Sequence, residues 1–123
     1  MPTTTILICD DEEGVRESLK HMLGAAYTLA YAVDGAEAVA FVNAHDPAVV
    51  FLDVKMPKIN GLEALRQIKA AKPHVKVVMI TGYESTDIAT EAINLGAADY
   101  LVKPFKQQAI LAQIQALLGA GGV

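Results

Sequence analysis

Five polar residues stand where short apolar runs end. Asp10-Asp11 follows Ile6-Leu7-Ile8-Cys9, Asp53 follows Val49-Val50-Phe51-Leu52, Thr81 follows Val77-Val78-Met79-Ile80, and Lys103 follows Tyr100-Leu101-Val102. Gathered in one crevice, three carboxylates and one ammonium leave a charge of −2. Crowded carboxylates raise one another's pKa unless a cation sits among them. A hard divalent ion with oxygen ligands relieves that crowding, and Mg²⁺ suits one or two carboxylates together with phosphate and water. Lys103 and the Thr81 hydroxyl supply what carboxylates lack, which is donors for an anion. Carboxylates, metal, hydroxyl and lysine together suit phosphoryl transfer, where catalysis is mostly positioning and charge neutralisation. An aspartate can itself be the nucleophile and carry an aspartyl phosphate.

These residues meet only if the elements bearing them are parallel neighbours. The four runs are strand-length and rich in β-branched residues, as expected of strands covered on both faces. A fifth run, Tyr27 to Val33, is more mixed and reads as an edge strand. Strands therefore begin near residues 5, 27, 48, 76 and 99. Between them lie helical stripes: Val15, Leu19, Met22 and Leu23; Ala38, Phe41 and Val42; Leu62, Leu65 and Ile68; Ile88, Ala92 and Leu95. Ile110, Ile114, Leu117 and Leu118 share one face of a last helix. Asp34-Gly35, Asp46-Pro47, Asn60-Gly61, Lys72-Pro73 and Gly96 read as turns. Alternating strands and helices predict an α/β fold, a five-stranded parallel sheet with helices on both faces, joined by right-handed crossovers. Such open sheets bind ligands at the carboxyl ends of their strands.

Composition narrows the class. A chain of 123 residues holds one domain, and 53% hydrophobic against 20% charged residues excludes disorder. The net charge of −4 argues against a nucleic-acid backbone binder. A lone Cys9 excludes a disulfide framework and reads as a small buried hydrophobe, in keeping with a reducing compartment. No apolar run is long enough to span a membrane, and the first residues lack the regions of a signal peptide. The expected location is cytoplasmic. His21, His45 and His74 lack ligand spacing and read as surface residues.

The chain resembles the receiver domain of bacterial two-component response regulators over residues 5 to 118. The acidic pair in Ile8-Cys9-Asp10-Asp11-Glu12, the segment Leu52-Asp53-Val54-Lys55-Met56-Pro57-Lys58-Ile59-Asn60-Gly61, Ile80-Thr81-Gly82, and Asp99-Tyr100-Leu101-Val102-Lys103-Pro104-Phe105 carry the resemblance. It implies a flavodoxin-like, doubly wound (βα)5 fold with strand order 2-1-3-4-5, and a single receiver domain over 1–123 whose residues 119–123 are a free tail or the start of a linker. It also implies that Asp53 accepts a phosphoryl group from a phosphohistidine on a histidine kinase or phosphotransfer protein. Asp11 is then the direct Mg²⁺ ligand and Asp10 a mostly water-mediated one, with the Asp53 carboxylate and the Lys55 backbone carbonyl completing the protein ligands. Lys103 contacts the phosphoryl oxygens, its bond to Pro104 is cis, and Thr81 and Tyr100 form the switch pair. Output passes through the fourth helix, fifth strand and fifth helix, to an effector domain or protein or to a second copy of the domain. Lys55 and Tyr83 occupy positions where the family varies and phosphoryl lifetime is tuned.

Plainer readings stand beside these. Asp10 to Glu13 as acids at the start of the first helix, Thr81 as an N-cap of the fourth, Lys103 as a solvated lysine and Tyr100 as a fixed sheet aromatic need no phosphate. Rival functions are an aspartate-nucleophile phosphohydrolase and a receiver-like binding module that accepts no phosphate. The hydrolase wants a second acid two residues past its nucleophile, where this chain has Lys55, and a cap for which it has no spare residues. A dinucleotide module wants G-x-G-x-x-G after the first strand, where Asp10-Asp11 stands instead. The expected role is a phosphorylatable switch, not an enzyme beyond assisting its own phosphorylation and dephosphorylation.

Overall fold

The computed structural model describes residues 4–24, 26–56, 59–82 and 86–119. Expectations attached to Pro57, Lys58, Tyr83 and the tail beyond Gly119 lie outside those residues. Five strands, β1 (Thr5–Cys9), β2 (Thr28–Ala32), β3 (Val49–Asp53), β4 (Lys76–Thr81) and β5 (Asp99–Val102), alternate with α1 (Glu13–Leu23), α2 (Gly35–Ala44), α3 (Gly61–Ala71), α4 (Thr86–Asn94) and α5 (Gln107–Ile114). All strand pairs are parallel, in the order β2-β1-β3-β4-β5, so the flavodoxin-like doubly wound fold is as expected and β2 is an edge strand.

Period-two alternation splits each strand between two apolar layers. Ile6, Ile8, Val49, Phe51, Val78 and Ile80 pack with Leu19 and Leu23 of α1 and Ile110 and Ile114 of α5. Leu7, Cys9, Val50, Leu52, Val77 and Met79 face the other way, against Ala38 and Val42 of α2, Leu65 and Ile68 of α3, and Ala92 of α4. Because β1, β3 and β4 are covered on both faces, they carry continuous apolar runs rather than alternating ones. Among its nine residues α4 buries only Ala92, the fewest of the five helices.

Register brings the polar ends level. Cys9 pairs with Leu52, so Asp10 emerges from β1 beside Asp53, the last residue of β3. Asp53 pairs with Ile80, one before Thr81, and Thr81 pairs with Val102, one before Lys103. Two local expectations are corrected. Thr81 is the last residue of β4 and α4 begins only at Thr86, so it is not that helix's N-cap. The last helix is not one uniform stripe, because its α-helical part ends at Ile114 and a π-helical turn follows over Gln115–Gly119. Leu117 and Leu118 on that wider turn still pack against the α1–α5 layer.

Candidate functional site

Asp10 is fully buried just beyond β1. Its backbone carbonyl accepts from the Arg16 guanidinium at 2.8 Å, and its Oδ1 accepts from the Glu12 N–H at 2.9 Å. The acidic run does not cap α1 in the usual way, since Glu12 is the N-cap residue and its side chain makes no capping bond. Oδ2 of Asp10 is buried with no aligned hydrogen-bond donor, although Lys103 Nζ lies at ion-pair distance, 2.9 Å away.

Asp53 ends β3 at only 5% exposure. A short descent into α3 holds it: the Gly61 N–H donates to the Val54 carbonyl at 2.7 Å, and the Asn60 side chain caps α3 by accepting from the Glu63 N–H at 2.9 Å. A Cβ on Gly61 would fall 2.1 Å from the Asp53 carbonyl oxygen, so the chain passes there only without a side chain. Burial pushes the Asp53 carboxyl up to about 6, with the Asp10 charge adding to the rise, while Lys103 and the Lys55 backbone N–H oppose it.

Lys103 reaches over this floor from the end of β5. Its ammonium lies 2.9 Å from Asp10, 3.1 Å from Glu12 and 3.5 Å from Asp53. Burial pulls its pKa down, but the carboxylates of Asp10 and Glu12, with Asp53 behind them, outweigh that and raise it. The Lys103–Pro104 bond is cis, as the resemblance implied. Thr81 is buried at the end of β4 and, with Gly82, Asp11, Glu12, Asp53, Lys55 and Lys103, lines one crevice of about 460 Å³. Tyr100 does not line it. As a neighbour of odd-numbered Leu101 it packs, partly buried, on the opposite face against the α2–α4 layer.

Oxygens of Asp10, Asp11, Glu12 and Asp53 come within 4.8 Å of one another. Asp10, Asp11 and Asp53 make an all-oxygen set around an Asp10 oxygen with no aligned hydrogen bond, which fits a hard divalent cation, while the exposed Glu12 carboxylate at the rim pairs with Lys103. Glu12 is the member that sequence reasoning missed. Its position next to the acidic pair was visible, but its salt bridge to Lys103 depends on a contact across 91 residues of chain. Asp34, read as part of a plain turn, is buried and caps α2 by accepting from the Glu37 N–H at 2.8 Å. Cys9 is buried as expected, its thiol directed at the Asp34 carbonyl and the Met56 sulfur, and burial pushes its pKa up. His21, His45 and His74 are exposed, with His74 3.5 Å from Asp46.

A five-stranded parallel sheet in this order, with acids after β1 and β3, Thr81 after β4 and Lys103 after β5, is the architecture of a receiver-type fold. Residues 6–115 match the family model described as the response regulator receiver domain, and the chain belongs to that family. Response regulator MprA of Mycobacterium ulcerans is 38% identical over 114 residues, covering 92% of this chain and 49% of the relative. The chain thus spans about half the length of the curated relatives it matches. A CheY-like receiver domain protein from Methanospirillum hungatei superposes with a TM-score of 0.92 at 28% identity, covering 97% of this chain and 96% of that one. A chain of the CheX–CheY–BeF3–Mg²⁺ complex from Borrelia burgdorferi reaches 0.88 at 25% identity, covering 93% and 88%. Among the described residues no helix is long and apolar enough to cross a membrane.

Proposed function

We propose that this receiver domain is a phosphorylation-dependent switch with Asp53 as the phosphoacceptor. The observation that carries the reading is a buried carboxylate with Lys103 Nζ 3.5 Å away and three further carboxylates around it. A carboxylate oxygen of Asp53 attacks the phosphorus of a phosphohistidine on a histidine kinase or phosphotransfer protein. The P–N bond breaks, its electrons return to the imidazole with a proton, and a P–O bond makes an acyl phosphate. Asp11, Asp10, the Asp53 carboxylate and the Lys55 backbone carbonyl would hold Mg²⁺, whose chemistry there is neutralisation of phosphoryl charge. Lys103 then offsets the charge on the remaining phosphoryl oxygens, and the Thr81 hydroxyl donates to one of them. Among similar structures, the CheX–CheY complex with BeF3 and Mg²⁺ supports the choice of ion.

Residues 1–123 act on this reading as one receiver domain, with 119–123 a tail or the start of a linker. The curated relatives are about twice as long, which supports an effector domain or protein as the recipient of the signal. The α4–β5–α5 surface would present it, to that effector or to a second copy of the domain. Function in the cytoplasm, no direct contact with nucleic acid and no turnover of a free substrate belong to the same reading.

Incubation with acetyl phosphate and Mg²⁺ tests it. Mass spectrometry should find one added phosphoryl group, labile to hydroxylamine, dependent on Mg²⁺ and absent from Asp53→Asn. Equal labelling of Asp53→Asn would remove Asp53 as acceptor. No labelling of the wild type would leave the receiver-like binding module, and steady release of inorganic phosphate from added phosphomonoesters would favour a hydrolase.

A further inference from the structure

We infer that Glu12 is a displaceable counter-ion of Lys103, sharing the lysine with the acceptor until a phosphoryl group replaces it. The inference rests on Asp53 as the phosphoacceptor and concerns how that site is regulated. Lys103 Nζ donates to Glu12 at 3.1 Å and to Asp53 at 3.5 Å, and lies at ion-pair distance, 2.9 Å, from Asp10. The two shorter separations, 2.9 and 3.1 Å, run to Asp10 and Glu12, and the longest, 3.5 Å, runs to Asp53. Lysine therefore sits closer to the β1 side of the crevice than to Asp53, its hydrogen bond to Asp53 being the longest of the three contacts.

The three partners differ in what it costs to leave. Asp10 and Asp53 side chains are 0% and 7% exposed, at the ends of buried strands, whereas the Glu12 side chain is 65% exposed. An exposed carboxylate regains water when it lets go, so its ion pair contributes little and breaks readily. Its backbone, in contrast, is fixed, because the Glu12 N–H donates to Asp10 Oδ1 and the Glu12 carbonyl accepts from the N–H groups of Val15 and Arg16. The carboxylate thus hovers within reach of Lys103 on a short tether. A phosphoryl group on Asp53 brings new negative oxygens into the same crevice, which Glu12, Lys103 and Thr81 line. Lysine can answer that charge fully only by giving up Glu12.

Glu12→Asp keeps the charge and shortens the reach by one methylene, so it separates the ion pair from the local field. Affinity for beryllofluoride, a phosphoryl mimic, is read by NMR titration at saturating Mg²⁺, and Mg²⁺ affinity is read separately without beryllofluoride. Glu12→Asp and Glu12→Gln should each tighten beryllofluoride binding about two- to fivefold, the range an exposed ion pair supports. Neither substitution should matter in a Lys103→Met background, and Glu12→Asp should hold Mg²⁺ affinity within about twofold. Unchanged beryllofluoride affinity in both variants overturns the inference, as does tightening by Glu12→Gln alone, which would mean simple repulsion of the anion. A tenfold loss of Mg²⁺ affinity in Glu12→Asp would make Glu12 a metal ligand instead. Failure of the wild type to take up beryllofluoride at all would overturn the phosphoacceptor reading itself, and uptake indifferent to Glu12 overturns this inference alone.

Discussion

Asp53 carries the largest consequence of any single side chain, because the fold holds it in its less comfortable form. Its pKa rises from 3.8 to about 6 through burial and the nearby Asp10 charge. An acid whose folded pKa is raised binds its proton more tightly folded than unfolded, so it favours the fold at low pH. That favour fades as pH rises between the two values, and above about 6 the ionised carboxylate is a net cost to the fold. With Mg²⁺ chelated, Asp53→Asn should therefore unfold at higher urea than the wild type at pH 7.5, and the gap should close towards pH 5. Urea midpoints of the two proteins across that range check it, and a gap that widens on acidification would reverse the sign. Protons and Mg²⁺ compete for this carboxylate, so Mg²⁺ affinity should also fall as pH drops through 6. Lys103 acts on a different quantity. Lys103→Ala removes the cation in contact with Asp53, and loss of a charge-assisted contact in a dry site is worth roughly 2–4 kcal/mol, about 30- to 1,000-fold in rate. Acetyl phosphate labelling should slow by that factor while Mg²⁺ still binds, and labelling at the wild-type rate would make Lys103 a bystander.

The elements that hold these side chains were legible because parallel strands buried on both faces must be written as apolar runs. Strand starts read near 5, 27, 48, 76 and 99 lie within one residue of the observed Thr5, Thr28, Val49, Lys76 and Asp99. Asp10, Asp53, Thr81 and Lys103 could be found for the same reason: each is the first polar residue where a run ends, and register then brings them level. What resisted reading was set by contacts distant in sequence or by geometry that composition does not encode. Asp34 looked like a turn because capping and turning use the same residue types. The π-helical turn after Ile114 keeps the apolar spacing of an α-helix closely enough to pass for one. Asn60-Gly61 was visible as a turn signal, yet its glycine is required by the approach of the Asp53 carbonyl, which only the folded β3–α3 junction creates. Gly61→Ala should therefore destabilise the domain by about 1–3 kcal/mol, as overpacking does, and slow labelling of Asp53 by moving its backbone. Gly82→Ala, where an added Cβ meets nothing within 4 Å, should stay within about 0.5 kcal/mol of the wild type. Equal denaturation midpoints for the two variants would show that the approach at Gly61 relaxes freely.

For the molecule to signal, charge in the crevice must change a surface some distance from it, and the packing indicates which part can move. β3 is buried throughout, and β1 and β4 are buried beyond their first residues, so the sheet's centre is a poor candidate. α4 buries a single residue, Ala92, and β5 is an edge strand with all four residues only partly buried. Segments with few buried apolar contacts open at lower cost than the core. Tyr100 joins the two, lying in β5 against the layer that Ala92 belongs to, on the face away from Lys103. On the proposed reading, Thr81 and Tyr100 act as a pair, with movement of Thr81 toward a phosphoryl oxygen passed to Tyr100 and α4. The energetics are demanding but attainable. Shifting a two-state equilibrium from 1:99 to 99:1 takes about 5.5 kcal/mol of differential affinity. One charge-assisted hydrogen bond contributes roughly 1.5–3 kcal/mol, so the metal, Lys103 and Thr81 must act together. Thr81→Ala should accordingly keep Mg²⁺ binding and most of the labelling while weakening the transmitted change. In the wild type, beryllofluoride with Mg²⁺ should shift NMR signals across residues 86–95 and 99–108 as well as around the crevice. In Thr81→Ala the α4 signals should move less than the crevice signals do. Shifts confined to the neighbourhoods of Asp10, Asp53 and Lys103 in the wild type would mean that the site takes up the phosphoryl group and switches nothing.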